Sequence, residues 1–110
     1  MRRSRLDDMK GGWFIGDFDP AAFKTAQFEV SLKIHPAGEQ WPAHFHKIAT
    51  EINLVVSGRM LLQGELLTAG DIFILEPNEV ADPTFYEDCS IVCVKVPSAI
   101  GDKYPAAIQG

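Results

Sequence analysis

The chain has 110 residues, 46% of them hydrophobic and 23% charged, and carries a net charge of −5. This composition is that of one ordinary globular domain, long enough to bury a single core without staples. The acidic balance argues against a nucleic-acid footprint. No apolar run approaches a membrane span and no signal-peptide core follows the basic N-terminus, so the expected compartment is the cytoplasm.

Residues 1–12 read as a flexible N-terminal segment, and residues 13–110 as the domain. The basic cluster Arg2, Arg3 and Arg5 is followed at once by Asp7 and Asp8, the pattern of a solvated tail. Trp13, Phe14 and Ile15 are strongly apolar, then residues 16–20 break the pattern, and residues 21–24 have room for one helical turn. Residues 27–35 alternate: Phe28, Val30, Leu32 and Ile34 fall on one face, Glu29, Ser31 and Lys33 on the other, which predicts a half-buried strand.

A loop over 36–42 leads to short strands at 43–46 and 51–56, with Ser57-Gly58 as a turn. Residues 60–63 and 66–67 flank Gly64-Glu65 and predict a hairpin. Residues 72–75 form a fully apolar strand, and 84–86 and 90–96 the last two strands. Residues 97–110 are mostly irregular. Cys89 and Cys93 share one face of the last strand, roughly 13 Å apart at strand rise, which is too far for a disulfide. They read as small core residues. Many short strands punctuated by Gly and Pro, with no sustained helical periodicity, point to an all-β sandwich or barrel.

His44 and His46 stand at i and i+2 of a strand, so both side chains leave the same face, with attachment points roughly 7 Å apart. Glu51 follows on the next strand and can pair across. Two neutral imidazoles and one carboxylate suit a borderline divalent metal such as iron, zinc, nickel or manganese, with coordination positions left open. Surface histidine pairs are also common, and Glu51 could instead pair with Lys47.

The segment G-EQWPA-HFH-KIAT-E-INLVVS-G, residues 38–58, resembles the first motif of the cupin superfamily at Gly38, His44, His46, Glu51 and Gly58. The segment GDIFILEPNEVAD resembles the second motif in part. Gly70 and Asp71 match, but Glu76 stands where proline is usual, Asn78 where glycine is usual, and Ala81 where a fourth ligand, histidine, is usual. HKIATEIN, EPNEVAD and VKVPS together are similar to a group of small stand-alone bacterial cupins. The resemblance implies a double-stranded β-helix, or jelly-roll barrel, with a metal held by His44, His46 and Glu51. It also implies a homodimer, with the apolar Trp13 run and the 28–34 strand docked or exchanged between copies. A monomer whose N-terminal segment covers its own barrel is the alternative.

Ala81 cannot ligate anything, which leaves three readings: a three-ligand site, a site that recruits Asp82 through a bulge next to Pro83, or a barrel that has lost metal and binds its ligand through the histidines. Asn53 shares the strand face of Glu51 and is placed to line a pocket and orient it. Trp41 and Phe45 flank an entrance or pack. Tyr86 is a candidate acid, or structural. His35 at a strand end reads as a surface histidine. Glu76, Glu79 and Asp82 form an acidic rim, solvated or substrate-directing.

The expected function is a small metal-binding cupin acting on a small carboxylate or carbohydrate-like molecule. If it is an enzyme, it is of the dioxygenase or isomerase type. A non-catalytic ligand-binding or regulatory cupin is the alternative. A metal-independent epimerase using a histidine base and Tyr86 is a third.

Overall fold

The computed structural model describes residues 1–106; the last four residues of the domain expected over 13–110 lie outside the described ones. Eleven strands are described: β1 Trp13–Gly16, β2 Phe23–Lys24, β3 Glu29–His35, β4 His44–Phe45, β5 Thr50–Ser57, β6 Arg59–Leu62, β7 Glu65–Thr68, β8 Ile72–Leu75, β9 Thr84–Phe85, β10 Cys89–Val96 and β11 Tyr104–Pro105. Helical structure among the described residues is confined to two 3-10 turns, Leu6–Asp8 and Lys10–Gly12, in the N-terminal segment.

The strands form a six-stranded sheet in the order β2-β1-β3-β10-β5-β8, a three-stranded sheet β7-β6-β9 and a two-stranded sheet β11-β4. All pairings are antiparallel except β1 with β2. This is the all-β architecture that the Gly and Pro turns predict, and the jelly roll that the cupin resemblance implies. Its core fills one end of the space between the large sheet and the smaller ones. Val55, Leu75 and Ile91 come from the large sheet, and Met60, Leu62 and Phe85 from the three-stranded one.

Three local expectations shift. Residues 21–24 do not form a helical turn. Phe23 and Lys24 pair with Ile15 and Gly16, and Ala22 N–H bonds the Phe14 carbonyl at 2.8 Å. An isolated helical turn has little stability of its own, whereas the open edge of β1 offers ready main-chain partners. The hairpin turn is Gln63-Gly64 rather than Gly64-Glu65, because Leu62 pairs with Glu65. A two-residue loop needs positive φ at both positions, and Gln63 (51°) and Gly64 (74°) supply it. Gln63 is held there by its N–H to Asp82 Oδ1 and its side-chain amide to Glu79 Oε2 and the Val80 carbonyl.

The third shift concerns β3. Its buried face is the polar one: Ser31 is fully buried and Glu29 nearly so, while Ile34 is 71% exposed. The alternation was legible, but its direction is the reverse of the usual rule.

Gly58 has φ 93°, and a Cβ there would lie 2.3 Å from the Asp88 carbonyl oxygen and 2.7 Å from Cys89 Sγ. Only glycine lets β5 turn into β6 against the start of β10. No helix among the described residues is long and apolar enough to cross a membrane.

Candidate metal and ligand site in the barrel

Strand register determines what faces the interior. Ser31, Cys93, Asn53 and Phe73 form one inward row across β3, β10, β5 and β8, and Glu29, Lys95, Glu51 and Leu75 form the next. Apart from Glu29, these rows line a cavity of about 310 Å³ together with Lys33, His35, Trp13, Trp41, His44, His46, Ala81 and Lys103. A cavity of this size sits at the small end of ligand pockets.

His44 and His46 both line the cavity, with ring centroids 5.6 Å apart and planes at 89°. His44 Nδ1 is 3.1 Å from the Pro42 carbonyl. A carbonyl only accepts, so this nitrogen carries the proton and Nε2 bears the free lone pair, the arrangement typical of a ligating histidine. His46 is buried, and its Nε2 has no partner. Glu51 Oε1 accepts a hydrogen bond from Cys93 Sγ at 3.2 Å, while Oε2 lies 3.5 Å from His46 Nδ1 and makes no hydrogen bond.

Burial holds both imidazoles below the ordinary histidine value, and Lys95 adds to the effect at His46. Both are therefore neutral at neutral pH, as ligands must be. Burial, with Glu51 beside it, pushes the Cys93 thiol far up, so it donates to Glu51 as a thiol and is no thiolate ligand. Both cysteines are free and buried, as their spacing predicts.

In kind and burial these donors fit a borderline divalent ion, since two buried donor atoms have no protein partner. As the side chains stand, however, no three His, Cys, Asp or Glu among the described residues converge on one point. Holding an ion would require the His44, His46 and Glu51 side chains to draw together. Ala81 faces His44 directly: the two residues exchange both main-chain hydrogen bonds, at 3.0 and 2.8 Å. The missing fourth ligand thus leaves a methyl group, 5% exposed, on the cavity wall.

Of the further candidates, Asn53 lines the cavity, 3% exposed, with Nδ2 unpartnered. Asp82 does not: it is exposed and bonds Gln63, because strand alternation sets it opposite Ala81. Tyr86 is 51% exposed outside the cavity, in the turn after β9. Glu76 and Glu79 are likewise exposed, bonded to Thr50 and Gln63. Phe45 stacks on Tyr104, whereas Trp41 is a wall residue.

Several cavity residues escape a sequence reading. His35 is not a surface histidine: it lines the cavity, stacks on Phe85 at 4.4 Å and 4°, and its Nδ1 is 2.8 Å from Glu39 Oε1. Trp41 Nε1 donates to the same oxygen. These two bonds, that from His35 foremost, hold the Glu39 carboxyl below its ordinary range.

Lys33, Lys95 and Lys103 also line the cavity, and the inward direction of the polar face was the only signal for the first two. Asp102, in the tail expected to be irregular, is 5% exposed and accepts four contacts from main-chain N–H groups. Its Oδ1 takes those of Lys47 and Ile48 at 2.9 and 3.2 Å, and its Oδ2 those of Ile48 and Ala49 at 3.1 and 2.9 Å. Burial alone would raise its pKa, but these bonds outweigh that and lower it. Asp102 thereby fixes the loop between His46 and Glu51.

No protein-family model matches the chain, and no curated protein matches it in sequence. Solved structures do match. An uncharacterized conserved protein with a double-stranded β-helix domain from Klebsiella pneumoniae is 26% identical, with 74% of this chain and 72% of that one covered and a TM-score of 0.67. A cupin protein from Bacteroides fragilis is 25% identical, with 77% and 80% covered and a TM-score of 0.54. The DMSP lyase DddQ from Ruegeria pomeroyi is 20% identical, with 87% of this chain but 50% of that one covered and a TM-score of 0.67.

The fold and its enclosed cavity define a double-stranded β-helix protein. Within that class, the chain is similar to cupin proteins.

Proposed function

We propose that this small cupin binds a divalent metal through His44, His46 and Glu51 inside the barrel and acts on a small polar molecule in the same cavity. The observation that carries this reading is the pair of buried donor atoms without partners, His46 Nε2 and Glu51 Oε2. Leaving such atoms unpaired costs about 1–3 kcal/mol each, a cost that a ligand would offset. A bound ion would supply Lewis-acid polarisation of a substrate oxygen.

The chain's own groups do the rest. Cys93 holds Glu51 Oε1 by its thiol hydrogen bond. Asp102 holds the loop that spaces the two histidines from Glu51. His35, oriented by Glu39, is the cavity histidine placed to take or give a proton. Oxygenation and isomerisation both suit open coordination positions, and the DMSP lyase neighbour illustrates that the fold supports chemistry on small molecules.

Calorimetric titration of chelator-stripped protein with manganese, iron or zinc tests the reading. One site per chain is expected, lost in His44→Ala and His46→Ala. No binding of any of the three by the unaltered protein would overturn it.

One observation favours a second reading, a non-catalytic ligand-binding or regulatory module: the three donors are not drawn together, and Ala81 replaces a fourth. Saturable binding of a small organic molecule in the absence of metal, with no turnover when metal is added, would favour it.

The outer face of the large sheet supports a homodimer. Ile34, Ile72, Ile74 and Val56 are 71%, 67%, 51% and 50% exposed there, and covering such side chains is worth roughly 1.5–3 kcal/mol each. Free buried cysteines agree with a cytoplasmic protein.

A further inference from the structure

Three lysines share the cavity that holds the histidines, in a chain whose net charge is −5. Lys33 and Lys95 each place Nζ 4.9 Å from the centre of the Trp13 ring. Lys33 also lies 5.6 Å from that of Trp41, and Lys103 lies 4.2 Å from it. Two ammonium groups thus share each indole, and Lys33 belongs to both pairs.

None of the three forms an ion pair among the described residues. Glu29, which sits opposite Lys95 in the register, accepts instead from Ser98 Oγ at 2.8 Å. Glu51, the carboxylate inside the cavity, accepts from the Cys93 thiol instead. Burial and the charge of Lys95 lower the pKa of both Lys33 and Lys103, and the charge of Glu51 offsets this only in part.

Two uncharged polar residues line the same space. Ser31 Oγ and Asn53 Nδ2 are buried, 0% and 3% exposed as residues, without partners, and flank Cys93 from the two neighbouring strands. Apolar walls from Leu62, Phe73 and Phe85 complete the enclosure.

We propose that the cavity binds a small organic anion. Lys33, Lys95 and Lys103 hold its carboxylate or phosphate group between the two indoles, and Ser31 Oγ and Asn53 Nδ2 hydrogen-bond its polar body. The three lysines concentrate positive charge in the cavity of a chain whose net charge is −5, which draws anions in. A cavity of about 310 Å³ suits a small ligand. This inference names the substrate class of the proposed site, and it stands whether or not metal is bound.

Trp13 and Trp41 are the only tryptophans in the chain, so anion binding reports directly in fluorescence. Metal-free protein would be titrated with sodium malonate and, separately, inorganic phosphate, each balanced against sodium chloride to hold ionic strength constant. Saturable quenching by malonate alone assigns a carboxylate ligand, and by phosphate alone a phosphorylated one. Either should weaken about tenfold in Lys33→Gln and in Lys103→Gln, the charge-assisted bonds being the strong ones. Lys103 is exposed at the mouth, so that substitution does not put folding at stake.

Glu51→Gln should bind the anion more tightly, because it removes a like charge from the cavity, while losing metal. Absence of saturable quenching with both anions, or equal affinity in the lysine variants and the unaltered protein, would overturn the proposal. Metal uptake by a protein that binds neither anion would sink this inference alone, and anion binding by a protein that takes up no metal would sink the metal reading alone.

Discussion

On β5, Glu51 and Asn53 turn into the cavity and Val55 into the core beside it, while Ile52, Leu54 and Val56 turn to the other face. On β3, Ser31, Lys33 and His35 turn in and Leu32 and Ile34 turn out; on β8, Phe73 turns in and Ile72 and Ile74 out. The two faces of one sheet have thus exchanged their usual characters. The enclosed face carries charges and unpartnered polar atoms, and the outer one is aliphatic. Buried polar groups cost stability unless something pairs with them, and exposed aliphatic patches of this kind mark contact surfaces. The inner face therefore reads as a ligand site and the outer face as a seat for a second copy.

The largest effect should come from the outer face. Ile72→Lys together with Ile74→Lys should convert a two-chain species to a single chain in analytical ultracentrifugation, with anion and metal binding unchanged. A single-chain mass for the unaltered protein would remove the dimer from the account. These residues are exposed in the single chain, so its own stability should move by no more than about 0.5 kcal/mol.

Next in size is the loop that joins the two ligand strands. Asp102→Ala strands the Lys47, Ile48 and Ala49 N–H groups and should cost about 3 kcal/mol in urea denaturation. Metal affinity should weaken with it. An unchanged denaturation midpoint would show that the loop holds itself.

The inner face offers the opposite sign. Ser31→Ala removes a buried hydroxyl without a partner and should stabilise the ligand-free protein by about 1 kcal/mol, while anion binding weakens. Loss of stability would mean that the hydroxyl serves the fold rather than a ligand.

The smallest effect is in pH. His44 and His46 have folded pKa values below the ordinary 6.5, through burial. Above about pH 6.5 both are neutral whether folded or unfolded, and their contribution is complete. Below it the unfolded chain takes up protons that the folded one resists, so stability of the metal-free protein should fall with pH. His44→Ala with His46→Ala should flatten that part of the profile.

The fold was legible because Gly and Pro fall at regular spacing and because residues 38–58 hold two histidines, a glutamate and the Gly58 turn in order. Asn53 was legible as a cavity residue because strand periodicity puts it on the face of Glu51, and His44 and His46 because the cupin resemblance implies that they join Glu51. The direction of β3 was not legible. Alternation reports that two faces differ, and only tertiary packing decides which is enclosed, so His35 reads as a surface histidine and nothing in the sequence marks Lys33 or Lys95 as cavity residues. Asp102 was hidden for another reason: its partners are main-chain N–H groups 53–55 residues away, which leave no mark in side-chain pattern. Tyr86 drew notice by residue type, but the turn after β9 carries it outside.

The central claim is that the enclosed polar face is a working site. The most direct measurement is elemental analysis of untagged protein purified without chelator, beside His44→Ala and His46→Ala. Near one equivalent of iron, zinc, nickel or manganese per chain, absent from both variants, is the predicted result. No metal in the unaltered protein, and none retained after incubation with each ion, would contradict it.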